Sequence, residues 1–154
     1  MIAIVQRTKF ASVTIDDNLF SKTGRGFLVL LGINVNDTQK ECEVLASKIA
    51  KLRIFEDENG KMNLSGMQLL DNGEEFEIMV VSQFTLCAEC KGQNRPSFIN
   101  AARPEQAIPL YEKFVEILKD TYGFTVKTGV FGADMQVNLL NDGPVTIILD
   151  TDKL

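Results

Sequence analysis

The chain contains no histidine among its 154 residues. That absence removes Ser–His and Cys–His nucleophile systems and every metal site built on imidazole. Cysteine is scarce: Cys42, Cys87 and Cys90 make an odd count that does not read as a disulfide framework. Long apolar runs are missing as well, and stretches such as Phe27–Leu31 and Ile78–Val81 are far too short to cross a bilayer as helices. The opening "MIAIVQR" has neither a basic region nor a small-residue cleavage site. It reads as no secretory signal, so a cytoplasmic location with no membrane partner is expected. Positive charge is in deficit, since 16 Lys and Arg face 21 Asp and Glu for a formal net charge of −5. Such a balance does not suit a protein that coats long nucleic acid, although gripping a few terminal nucleotides needs few cations.

What is present reads as one domain spanning residues 1–154, with 45% hydrophobic and 24% charged content at globular averages. Ile2–Ile15 is rich in Val, Ile and Thr and predicts a strand. A turn at Asp16–Asn18 follows, then a buried strand over Phe27–Ile33. Thr38-x-x-Glu41 has the form of a capping box, and Cys42, Leu45, Ile49 and Leu52 recur at helical spacing behind it. "RIFEDENGKMN" predicts a strand, a turn at Asp57–Gly60 and a return.

Phe76–Phe84 predicts a strand buried on both faces. A polar loop over Ala88–Ala102 leads to a second helix, beginning near Pro104 and ending around Gly123. Three short strands close the chain, Thr125–Val130, Met135–Leu140 and Val145–Asp150, with Asn141-Asp142-Gly143-Pro144 as a hairpin corner between the last two. The expectation is an α+β domain whose mainly antiparallel sheet curls toward a barrel, with two main helices.

The chemistry must come from carboxylates, hydroxyls, thiols, lysines or the backbone. Most acidic residues fall on turns and helix surfaces and read as solvated charge. The spacing "CAEC" (Cys87–Cys90) fits a redox or zinc pair, but no helix follows closely and two further zinc ligands are not in view, so bland thiols are expected. Two stretches stand apart. In "SQFTL" (Ser82–Leu86) a core strand ends in hydrogen-bonding side chains, where scaffolds commonly present a site. In "NDGPVT" (Asn141–Thr146) a Gly-Pro pair carries no side-chain chemistry at all.

Read together with "NRPSF" (Asn94–Phe98), "FGADMQV" (Phe131–Val137), "IVQR" (Ile4–Arg7), "ASVTI" (Ala11–Ile15) and "LRIFEDENGKMN" (Leu52–Asn63), these stretches resemble the D-aminoacyl-tRNA deacylase family in identity, order and spacing. The resemblance covers essentially the whole chain. It implies a homodimeric cytosolic hydrolase, without metal or cofactor, that cleaves D-amino acids and glycine from mischarged tRNA. It further implies an active site at the dimer interface, where Ser82, Gln83 and Leu86 of one subunit meet a cis Gly143-Pro144 of the other, with Ser82, Gln83, Phe84 and Thr85 as the expected catalytic residues. Phe84, in place of the Ala of a related deacylase, favours the D-specific branch. By the same resemblance Phe131 and Met135 line the pocket for the terminal adenine. Arg7, read as ending a strand, supports the Gly-Pro segment across the interface. The chain departs from the family pattern in carrying Cys87 and Cys90 after Leu86, and in a loop-like Met67–Glu77 that is slightly long.

A site without histidine remains chemically adequate for an ester. Backbone N–H groups near Phe84–Thr85 can serve a developing oxyanion, and the neighbouring ribose 2′-OH can position water. Thr85 has no base beside it in sequence and is read as a positioning hydroxyl. Gly143 admits close backbone approach and Pro144 fixes φ, so a rigid main-chain wall that excludes L-side chains and holds the substrate ammonium is expected there.

Overall fold

The computed structural model describes residues 1–154. Eight strands and three α-helices follow in the order β1 (Ile2–Ile15), β2 (Asn18–Thr23), β3 (Gly26–Gly32), α1 (Gln39–Ala50), β4 (Arg53–Glu56), β5 (Met62–Ser65), α2 (Gly66–Asp71), β6 (Glu77–Ser82), α3 (Pro104–Glu116), β7 (Thr125–Thr128) and β8 (Gln136–Asp150). The expected helix starts hold for physical reasons. The Thr38 hydroxyl accepts a backbone N–H at the start of α1 while the Glu41 carboxylate reaches back to the Thr38 N–H at 2.7 Å. Pro104 occupies the first turn of α3, where its missing N–H is no loss. After Glu116 the helix continues as one wide turn, Ile117–Thr121.

The main sheet runs β2-β1-β3-β6-β7, with β8 along the other edge of β1. β1 pairs antiparallel with β2, β3 and β8, whereas β3–β6 and β6–β7 are parallel pairs whose connections carry α1 and α3. The long β1 serves two neighbours on one side, β3 along Ile2–Thr8 and β2 along Ala11–Ile15. Splitting its partners this way curls the sheet until its ends meet. The Ser21 hydroxyl on β2 donates to the Thr128 carbonyl on β7 at 2.8 Å, which nearly closes a barrel.

Two cores result. The larger lies between the sheet and the helices, where Val5, Val29 and Val80 meet Leu45, Ile49 and Phe114. At one end Phe27, Phe55, Phe76 and Phe124 form a chain of ring contacts with centroids 5.0–5.6 Å apart. Burying one such ring contributes about 1.5–3 kcal/mol, with edge-to-face contacts adding to it. The smaller core fills the curl itself, from Ala11, Val13, Leu28, Met79 and Val81.

Three sequence expectations are corrected. Met67–Glu77 is not simply a loop: its first residues belong to α2, capped by the Ser65 hydroxyl and the Gln68 side chain. Asn18, expected in the turn Asp16–Asn18, instead opens a further strand that runs to Thr23. Most consequentially, Gln136–Asp150 is one continuous strand, and Asn141–Pro144 is no hairpin corner. Thr8 pairs with Asn141 and Gln6 with Thr146, so Arg7 alone stands opposite Asp142, Gly143, Pro144 and Val145. The Gly-Pro pair is the crest of a wide bulge in an edge strand.

Candidate active site

The first part of the site is built at the end of β6. This strand is hydrogen-bonded on both sides, so Ile78–Val81 are buried, and hydrogen-bonding side chains emerge at its end where pairing stops. The Gln83 N–H still donates to the Leu31 carbonyl at 2.8 Å, after which the chain tightens into a 3₁₀ turn, Phe84–Cys87. That turn lies against the last residue of β3. A Cβ on Gly32 would sit 2.9 Å from Leu86 Cβ and 3.1 Å from the Gln83 carbonyl oxygen, so the close approach depends on glycine. The N–H groups of Phe84 and Thr85 open the turn and precede any acceptor within it.

Gln83 Nε2 donates to Thr85 Oγ1 at 2.5 Å, and no carboxylate or amine bonds that hydroxyl. Phe84 is 56% exposed and meets Phe98 edge-on, with centroids 5.0 Å apart. Beside the turn opens a cavity of about 300 Å³. Ser82, Gln83 and Phe84 form part of its wall, and Phe131 and Met135 another part. Asp134 is the one ionisable residue lining it, and it is exposed. The cavity is otherwise suited to an apolar or aromatic group, with a few polar atoms at one side.

The second part is the bulge in β8. Arg7 lies in the middle of β1, not at a strand end, and is 6% exposed. Its Nε donates to the Asp142 carbonyl at 2.9 Å and its Nη1 to the Ile54 carbonyl at 2.6 Å, with the guanidinium 5.9 Å from the Phe55 ring centroid. Its support of the Gly-Pro segment is therefore made within the same chain. Asp142 also sets its carboxylate 3.6 Å from Arg7 Nε and 3.7 Å from Lys9 Nζ. From the other side the Asn141 amide spans the bulge, accepting the Val145 N–H at 2.8 Å and donating to Thr146 Oγ1 at 3.0 Å.

From sequence Asn141 reads as a turn former; an Asn side chain can satisfy a nearby backbone N–H, but which one is set by the strand pairing. Gly143 has φ of +136° and its peptide bond to Pro144 is cis. A Cβ there would lie 2.7 Å from Val145 Cγ2 and 3.1 Å from Arg7 Nη2. Gly143 and Pro144 are both exposed.

Within one chain, then, Ser82, Gln83, Phe84, Phe131 and Met135 converge on one cavity. Thr85 sits beside it on the exposed turn, while Arg7, Gly143 and Pro144 belong to a separate surface. The thiols stand apart from both. Cys87 is buried, its Sγ directed at the Ile33 carbonyl, and burial raises its pKa. Burial, reinforced by the negative charges of Asp37 and Glu41, pushes Cys42 up to about 12. Both are protonated at neutral pH and unfit as nucleophiles. Cys90 is exposed, so "CAEC" is not a facing pair.

The whole arrangement has counterparts. Residues 4–150 match the family model described as D-Tyr-tRNA(Tyr) deacylase. A D-aminoacyl-tRNA deacylase of Parabacteroides distasonis is 55% identical over 153 residues, covering 99% of each chain. One of Thermotoga petrophila is 50% identical over 154 residues, covering 100% of this chain and 99% of its own. Among solved structures, one described as c-Myc DNA unwinding element binding protein superposes with a TM-score of 0.87 at 48% identity, covering 97% of this chain and 98% of its own. Another, described as a probable eukaryotic D-amino acid tRNA deacylase, shares the fold at a TM-score of 0.78 and 16% identity, covering 96% of this chain and 97% of its own.

Proposed function

This chain belongs to the D-Tyr-tRNA(Tyr) deacylase family, and from that premise we propose how its two separate surfaces make one site. The chain is a hydrolase acting on D-aminoacyl-tRNA. In the proposed assembly two copies form a dimer in which the bulge of one faces the Ser82–Thr85 turn of the other. The observation that carries this reading is the separation itself. The cavity at Ser82–Phe84 is open within one chain, and Gly143-Pro144 lies outside it on an exposed edge. β8 pairs only with β1, and along it Leu140 and Ile148 are 48% and 70% exposed. An edge of that length left bare is a liability that a second copy removes.

In the composite site Phe131 and Met135 take the terminal adenine and place the aminoacyl ester against the turn. The main-chain N–H groups of Phe84 and Thr85 serve the oxyanion as water attacks, and the adjacent ribose 2′-OH positions that water. Gln83, bonded to Thr85, fixes the turn. The carbonyls of Gly143 and Pro144 hold the ammonium group and leave no room for a side chain on the L side of Cα. Rejection by a rigid wall discriminates more strongly than extra attraction to the favoured enantiomer. Glycine has no side chain to exclude, so glycyl-tRNA passes the same wall. The substrate is met in the cytoplasm, where aminoacyl-tRNA is made; no helix of the chain is long and apolar enough to cross a membrane. A protein that holds only an acceptor end needs few phosphate contacts, consistent with a net charge of −5.

The test is release of free amino acid from D-tyrosyl-tRNA and L-tyrosyl-tRNA by purified protein without added metal. Hydrolysis of the D-form with the L-form spared is expected. Binding of either without hydrolysis would make the chain a nucleic-acid-binding module instead.

A further inference from the structure

Next to the cavity at Ser82–Phe84 lies a second, of about 490 Å³, and the two share Phe84, Ala102, Phe131 and Gly132 as walls. What distinguishes the second is its far side, formed by Phe98, Ile99 and Arg103. Phe98 is 38% and Ile99 79% exposed, a large apolar surface for two adjacent residues of a loop. The Phe98 ring packs against Phe84 with centroids 5.0 Å apart and planes inclined at 69°. Arg103 is exposed and makes no ion pair. The stretch from Cys90 to Arg103 carries Lys91, Arg95 and Arg103 with no carboxylate, in a chain whose net charge is −5. An oriented aromatic face beside unpaired cations is the combination that binds single-stranded nucleic acid without reading its sequence.

We propose that this second cavity is a subsite for the penultimate nucleotide of the acceptor end, its base stacked on Phe98 and its phosphate facing Arg103. The inference rests on the reading that Phe131 and Met135 hold the terminal adenine. Phe131 belongs to both cavities, so a strand leaving the first passes directly into the second. Stacking tolerates any base, so the subsite adds affinity for a tRNA end without choosing among tRNAs.

The experiment compares D-tyrosyl-tRNA with 3′-O-D-tyrosyl-adenosine, which ends before the proposed subsite, for the wild type, Phe98→Ala, Phe98→Leu and Arg103→Ala. For Phe98→Ala the KM for tRNA is expected to rise between about fivefold and a hundredfold, the effect of one stacked base. Its kcat for tRNA and its kinetics on the adenosine ester stay at wild-type values. Phe98→Leu, which keeps the packing on Phe84, shows the same split, so a fold defect does not explain it. Arg103→Ala makes log(kcat/KM) for tRNA less steep in log salt by about 0.7, the share of one single-strand phosphate. Equal losses on both substrates, or none on either, overturn the subsite. A change of oligomeric state in Phe98→Leu also overturns it, by showing that the patch is covered by a second copy. A wild type that cleaves neither substrate overturns the underlying deacylase reading instead.

Discussion

The turn at Ser82–Thr85 and the bulge at Asp142–Val145 show two opposite ways of presenting main chain. The turn emerges from a buried strand, where pairing on both sides ends and a 3₁₀ turn frees its first N–H groups. It offers donors. The bulge interrupts an edge strand, is pinned from behind by Arg7 and from the side by Asn141, and leaves Gly143 and Pro144 exposed. Its proposed role is to offer acceptors. Neither needs a titrating side chain, which is how a chain without histidine can hydrolyse an ester. In the proposed mechanism the donors serve the developing charge, and the acceptors decide which substrate is admitted.

The largest effect expected from breaking this contrast is on the donor side. Phe84→Pro deletes one N–H at a position where a first-turn proline fits. It should lower kcat on D-tyrosyl-tRNA by about 10²–10³, the cost of one oxyanion donor. Phe84→Leu keeps the N–H and is the control; an equal loss there would assign the effect to the ring. On the acceptor side, Arg7→Lys keeps the charge but cannot span the Asp142 and Ile54 carbonyls. Leaving one of them unpaired costs about 1–3 kcal/mol of stability. The ratio of D- to L-tyrosyl-tRNA hydrolysis should fall while turnover of the D-form falls less. Urea denaturation and the two assays together separate these effects. The smallest change is expected from Thr85→Ala, which should retain a substantial fraction of deacylation. Complete loss with the fold intact, or an acyl group trapped on Thr85, would make it a covalent catalyst.

The contrast also explains what was legible in the sequence. The turn could be read directly, because a buried apolar run that stops at Ser82-Gln83 signals a strand end by local chemistry alone. The first helix was visible in Thr38 and Glu41 for the same reason. The bulge could not be read. Asn-Asp-Gly-Pro has the composition of a hairpin turn, and only non-local pairing with β1 keeps the chain extended through it. Arg7, separated from Asp142 by 135 positions, makes the decisive bond. The short helix at Gly66–Asp71 was obscured by glycine at its first position, although Ser65-x-x-Gln68 spells its capping box. Asn141 reads as a residue type suited to turns, and the clamp that its side chain makes depends on pairing distant from it in sequence.

The claim that the turn and the bulge act together across two copies is tested most directly by a hybrid dimer. One chain carries Phe84→Pro and the other Gly143→Val, whose branched side chain has no room at that φ. With different C-terminal tags the hybrid can be purified away from both parents and assayed on D-tyrosyl-tRNA. Each parent dimer should be nearly inactive, because every site in it has one defective half. The hybrid should recover activity, because one of its two sites pairs an unaltered turn with an unaltered bulge. A hybrid as inactive as its parents would contradict the account and place both segments in a site made by a single chain.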